Sequence, residues 1–224
     1  MTEQDVLVFD TTLRDGSQGR DINFSLEDKK KVARRLDDLG IDYIEAGWVP
    51  SNPKDTKFFQ EFGQEDLEKS KLVALSSTRR PGTAPGEDKN LLGLLDSEAP
   101  VVGVVGKSWR LHVDEVLGVS SEENLRMIAD SVSYLSENGR EVLYDAEHFF
   151  DGFKDDPDYA LETLETAEEA GADVICLCDT NGGTTPAEIE EIVGRVSEAV
   201  DSQLSIHAHD DSGLAVANSL LAVE

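Results

Sequence analysis

The chain has 224 residues, 39% of them hydrophobic, enough to bury a proper core as one large domain or two small ones. Twenty Lys and Arg stand against 47 Asp and Glu, a formal net charge of -27 that argues against a basic nucleic-acid-binding face. No apolar run approaches the roughly 20 residues of a membrane span, and the acidic N-terminus lacks the apolar stretch of a secretory leader. The acidity is spread over helix faces such as Glu162–Glu169 and reads as a solvated shell, suited to a salt-rich cytoplasm. Cys176 and Cys178 fit buried free thiols in a reducing compartment, so a cytoplasmic location is expected.

In chain order, a strand is expected over Val6–Leu13 and a helix over Leu26–Leu39, with Ser25 as N-cap, Gly40 as stop, and an apolar stripe of Leu26, Val32, Leu36 and Leu39. A strand over Asp42–Trp48 precedes a short helix over Pro53–Phe62, and a strand over Lys71–Ser76 precedes a helix over Asp88–Leu95. Arg79–Glu87, rich in Pro and Gly, is the segment expected to be flexible. A buried strand at Val101–Val105 leads to a helix over Ser121–Leu135. The last elements are strand Glu141–Ala146, helix Pro157–Ala170, strand Val174–Leu177, helix Pro186–Val200, strand Leu204–Ala208 and a helix from Leu214 to Val223.

Strict alternation of strand and helix means a parallel α/β sheet, with either a doubly wound sheet or a (β/α)8 barrel open. A barrel typically takes about 250 residues. The chain reaches Glu224 inside its seventh helix pattern, so about seven of eight units are expected.

In such folds the chemistry collects at the C-terminal ends of strands. Those ends carry Arg14-Asp15, Glu45, Lys107-Ser108, Asp145 and Glu147, Asp179-Thr180-Asn181, and His207, His209, Asp210 and Asp211. His207 and His209 alternate on a strand and so face one side. Two imidazoles beside carboxylates make a divalent-metal arrangement; without a metal they would be two polar residues at a strand end. Asp15 is the natural carboxylate partner, although a turn Asp before Gly16 is common. Arg14 at a strand's inner end needs an anion, and its planar fork matches a carboxylate or an oxyanion. Glu147 shares a strand face with Asp145 and could act in acid–base chemistry. Cys176 and Cys178 read as packing. "VVGVVGKS", Val101–Ser108, imitates a phosphate-binding loop but has Val101 where the pattern needs glycine.

"DTTLRDGSQ" near the N-terminus, with "HAHDDSG" at the seventh strand, resembles the metal-dependent acyl-CoA Claisen condensation enzymes: the isopropylmalate, homocitrate and citramalate synthases. Hydroxymethylglutaryl-CoA lyases and pyruvate-carboxylating barrels share parts of the pattern. "DYIEAGWVPSNPKD", "VGKSWRLHV", "YDAEHFFDGFKDDPDYALETL" and "CDTNGGTTP" look like the citramalate synthase branch. The resemblance implies a (β/α)8 TIM barrel. It matches Asp15, His207 and His209 to ligands of a divalent metal (Mn, Mg, Zn or Co), and Arg14 to the arginine on the 2-oxo acid and its developing alkoxide. Gln18 and Thr180 match substrate-carboxylate contacts, and Glu147 the acidic residue tied to enolisation of acetyl-CoA. The implied reaction joins acetyl-CoA to pyruvate, for isoleucine synthesis, in an enzyme whose full-length form is a homodimer. Its partners are then small molecules, with no nucleic acid and no membrane. The alternatives are another 2-oxo acid acceptor, as in isopropylmalate synthase, and an inactive remnant. Residues 1–224 are expected to be a catalytic domain incomplete at its C-terminus and lacking a regulatory domain. The family pattern has Asn after the second histidine where this chain has Asp210.

Overall fold

The computed structural model describes residues 6–63 and 67–224. The chain falls into two compact units, Met1–Ser76 with Lys89–Gly103 and Ser77–Asp88 with Val104–Glu224. Sheet order is chain order, β1 to β7.

The first unit holds β1 (Phe9–Asp10), α1 (Leu26–Leu39), β2 (Tyr43–Trp48), α2 (Pro53–Phe62), nearly all of β3 (Lys71–Ser77), α3 (Lys89–Asp96) and the start of β4 (Val101–Lys107). β2 pairs in parallel with both β1 and β3. β1 is far shorter than the strand expected over Val6–Leu13. Asp10 folds its carboxylate back onto the Thr12 N–H (3.0 Å) and hydroxyl (3.1 Å). The Thr11 carbonyl then accepts the N–H groups of Arg14, Asp15 and Gly16 at 2.8–3.1 Å, so the chain turns before Leu13.

α1 has the expected ends. Ser25 and Asp28 form a reciprocal capping box, and Gly40 closes the helix in the left-handed conformation. Its buried face is not the expected leucine stripe. Lys29, Ala33 and Asp37 point inward, while Leu39 is 75% exposed. The two charges are buried because each is answered. Lys29 donates to Asp55 and to the Ala46 carbonyl, and Asp37 accepts the N–H groups of Glu68, Lys69 and Ser70 at 2.8–2.9 Å. Burial pushes the Asp37 carboxyl upward, but these donors outweigh it and hold it below the ordinary carboxylate value.

The second unit contains the rest of β4 and α4 (Arg110–His112), which passes into a π turn at Val113–Leu117. α5 (Ser121–Glu137), β5 (Glu141–Glu147), α6 (Phe149–Asp155), α7 (Pro157–Glu169), β6 (Val174–Asp179), α8 (Pro186–Ala199), β7 (Gln203–Ala208) and α9 (Ala215–Val223) follow. β5, β6 and β7 are consecutive parallel neighbours. The segment expected to be flexible, Arg79–Glu87, is tied down. Arg79 is buried and paired with Glu123 (3.0 Å) and Asp130 (2.8 Å), and Arg80 holds the buried Asp88 (3.0 Å). Two helices escaped the sequence pattern. α4 starts at Arg110, where no helix start was expected, and α6 carries three buried phenylalanines around Gly152. Gly106 and Lys107 lie in β4 itself, as expected for a false phosphate-loop match. No helix among the described residues is long and apolar enough to cross a membrane.

Candidate active site

In the first unit the turn after β1 sets Arg14 and Asp15 side by side, with the Arg14 Nη1 3.1 Å from Asp15 Oδ1. The Arg14 Nε donates to Glu45, a fully buried carboxylate on β2. Arg14 thus meets the anion that its position demanded. A fork anchored at Nε and flanked by Asp15 is held in one orientation before any substrate arrives. The Ser17 hydroxyl donates to the Arg14 carbonyl (2.7 Å) and secures the turn from below.

Glu45 is aimed by a bulge. Glu45 pairs with Val73 and Gly47 with Ala74, so Ala46 is an extra residue. A bulge frees backbone groups, and here side chains collect them. Lys29 takes the Ala46 carbonyl (2.8 Å), and Asp55 takes the Trp48 N–H (2.9 Å) while pairing with Lys29. Gly47 is required, since a Cβ there would collide with the Asp55 side chain. Gln18 closes the short 3₁₀ turn after Asp15 and lines a polar cavity of about 190 Å³ with Ser17, Asn23, Asn52 and Lys54.

In the second unit, Glu147 ends β5 and pairs with Lys107, which ends β4. The next residue, His148, adopts a left-handed backbone (φ 55°), uncommon for a non-glycine residue. That twist points the His148 N–H at the Thr180 hydroxyl oxygen (2.9 Å) and its ring Nδ1 at Asp151 (3.3 Å). Thr180 therefore accepts from the backbone, and its own O–H is left to donate. His112 packs edge-on against His148, ring centroids 4.4 Å apart. Burial, with His148 and Lys107 adding to it, lowers the His112 pKa, so this imidazole is neutral near pH 7.

His207 lies in β7 opposite Cys178, and His209 follows the strand's end. Their rings stack in parallel, 5.0 Å apart and 3° from coplanar in orientation. The His209 N–H donates to the Asp179 carbonyl (3.2 Å), which fixes the backbone there. Gly182, at φ 58°, lets the neighbouring loop press against it; a Cβ would stand 2.8 Å from the His209 carbonyl. Asp210, at the position where the resembling family has Asn, accepts the Ala215 N–H (3.0 Å) at the start of α9. Cys176 and Cys178 are buried and free. A hydrogen bond with Cys176, then burial, raises the Cys178 thiol well above its ordinary value, which suits packing and not metal ligation.

Residues 5–224 match the model of the HMGL-like family. This chain belongs to the HMGL-like family. It is 53% identical over 218 residues to an (R)-citramalate synthase of Geobacter sulfurreducens, covering 97% of this chain and 41% of that protein. A 2-isopropylmalate synthase of Halalkalibacterium halodurans is 34% identical, covering 98% of this chain and 42% of that protein. The chain thus spans about two fifths of these relatives' length. An HMG-CoA lyase of Bacillus subtilis superposes with a TM-score of 0.81 at 19% identity, covering 97% of this chain and 73% of the other. The likeness in fold and the family match give this chain a (β/α)8-type fold.

Within the first unit, then, Arg14 and Asp15 are in contact and Gln18 lines the adjacent cavity. Within the second, Glu147 is joined to Thr180 through His148, and His207 is stacked on His209. Two partners were seen in the sequence only as polar strand ends: Glu45 behind Arg14, and Lys107 beside Glu147. The missed signal was opposite charge near the ends of adjacent strand patterns.

Proposed function

We propose that this chain carries the condensation site of an (R)-citramalate synthase, which joins acetyl-CoA to pyruvate with release of CoA. The observation that carries this reading is the 53% identity to such an enzyme, against 34% for an isopropylmalate synthase. Asp15, His207 and His209 are half-buried and would hold a divalent metal, Mn, Mg, Zn or Co. The donor set fits in its chemistry: one carboxylate and two imidazoles suit a borderline divalent ion. Such an ion supplies Lewis-acid polarisation of a carbonyl when bound.

Arg14, fixed by Glu45, presents fixed positive charge where the 2-oxo acid's oxygen becomes an alkoxide. Thr180 donates its free O–H to the substrate carboxylate, and Gln18 adds a second contact from the cavity side. Glu147 assists removal of a methyl proton from acetyl-CoA; the carbon left behind attacks the 2-oxo carbonyl, and water then cleaves the thioester. Thioester hydrolysis makes the sequence effectively irreversible. The product would feed isoleucine biosynthesis in the cytoplasm, and the complete enzyme would act as a homodimer on small-molecule substrates.

A thiol-release assay with acetyl-CoA and a panel of 2-oxo acids tests this reading. Pyruvate is expected to be preferred. Preference for 2-oxoisovalerate would replace citramalate with isopropylmalate as product. No release with any acceptor would leave a non-catalytic binding module.

A further inference from the structure

We propose that Lys107 is a positioning residue for Glu147, fixing one carboxylate oxygen so that the other is presented for proton transfer. The inference rests on the role given above to Glu147. Lys107 Nζ pairs with Glu147 Oε2, and the two side chains are 22% and 28% exposed. No other described residue gives the Glu147 carboxylate a hydrogen bond or an ion pair, so Oε1 is open. A carboxylate free to rotate would offer either oxygen in any orientation. Tethered at one end, it offers a single oxygen in a defined direction.

The backbone of Lys107 is held from behind. The Lys107 carbonyl accepts from Asn124 Nδ2 (2.8 Å), and the same nitrogen contacts Tyr159 Oη (2.9 Å). Asn124 is 1% exposed, and the adjoining Ser108 is equally buried, its hydroxyl 2.9 Å from that of Thr163. On the far side of Glu147, His148 is locked to Thr180 and Asp151. Both backbones are thus gripped, and the ammonium–carboxylate contact is the hydrogen bond given to the Glu147 carboxylate among the described residues. In the proton-transfer step the methyl C–H bond breaks, its electron pair stays on carbon, and the proton passes to Oε1. Lys107 neither gives nor takes a proton.

The test is a double-mutant cycle read by thiol release with saturating acetyl-CoA and varied pyruvate, using the chain itself, K107M, K107R, E147Q and K107M/E147Q. K107M should lower kcat by about tenfold to a hundredfold with KM for pyruvate little changed, as expected for a supporting partner. K107R should recover most of the loss. In the E147Q background K107M should cost less than about twofold, because the group it positions is already gone. Thermal melts of each variant separate this from misfolding, and K107R keeps the cycle informative if K107M is unstable. Undiminished kcat in folded K107M, or a full K107M loss on top of E147Q, overturns the inference while leaving the proposed reaction intact. Absence of CoA release by the unaltered chain removes both.

Discussion

The polar groups around β1 and β2 and those at the ends of β6 and β7 are held by different physics. In the first, charge is answered by charge: Arg14 by Glu45 and Asp15, Lys29 by Asp55. In the second, most of the grip comes from backbone groups and neutral contacts: Thr180 by the His148 N–H, the His209 backbone by the Asp179 carbonyl, His207 and His209 by stacking. A buried charge cannot be left alone, so the first arrangement is rigid and intolerant. The first arrangement keeps a fixed cation in place.

That contrast can be broken at several points. Lys29→Met would leave the buried Asp55 with only the Trp48 N–H and should cost about 3–5 kcal/mol in urea unfolding, the usual penalty for halving a buried pair. A loss near zero would show that the first unit does not depend on paired charge. His207→Ala should do the reverse: affinity for Mn²⁺ by calorimetry should fall by about a hundredfold or more, with melting barely changed. Unaltered Mn²⁺ binding would sink the ligand assignment.

Asp37→Asn should cost about 1–3 kcal/mol at neutral pH, since three backbone donors lose a carboxylate. The sign follows from the lowered folded value. The contribution is full above the unfolded value near pH 4 and is lost as pH falls through the folded one. Urea midpoints of the variant should therefore fall less on acidification than those of the unaltered chain. Parallel curves would remove Asp37 as a source of acid sensitivity. The smallest effect is expected from Gly182→Ala, about 1–2 kcal/mol from forcing an alanine to positive φ against the His209 carbonyl. An unchanged midpoint would mean that the loop can retreat without disturbing the histidine strand end.

Much of the fold was legible because it is written locally. Ser25, Pro53, Pro157 and Pro186 mark helix starts that the structure keeps. What failed had both local and nonlocal causes. Val6–Leu13 looks like a strand by side chain, but Asp10 and the Thr11 carbonyl turn the chain early. The leucines of α1 suggested its inner face, yet Lys29 and Asp37 win it because their partners come from α2, β2 and the segment before β3. Phe149, Phe150 and Phe153 have the i+3 and i+4 spacing of a helix, but Gly152 within the short run masked it. The candidate site residues divide the same way. His207 and His209 announced themselves by spacing, whereas Glu45 and Lys107 gain meaning only from their neighbours on adjacent elements.

The inward charges of α1 have a mechanical corollary. Lys29 grips the end of β2 and Asp37 grips the residues that lead into β3, eight positions apart on one helix, or about 12 Å of rise. The helix therefore works as a gauge block between two strand ends. A leucine stripe tolerates a small slide because one methyl replaces another, but two ionic seats at a set spacing do not. A slip of a single residue would unseat both at once, so α1 has one position along the sheet, and the bulge that aims Glu45 at Arg14 inherits that precision.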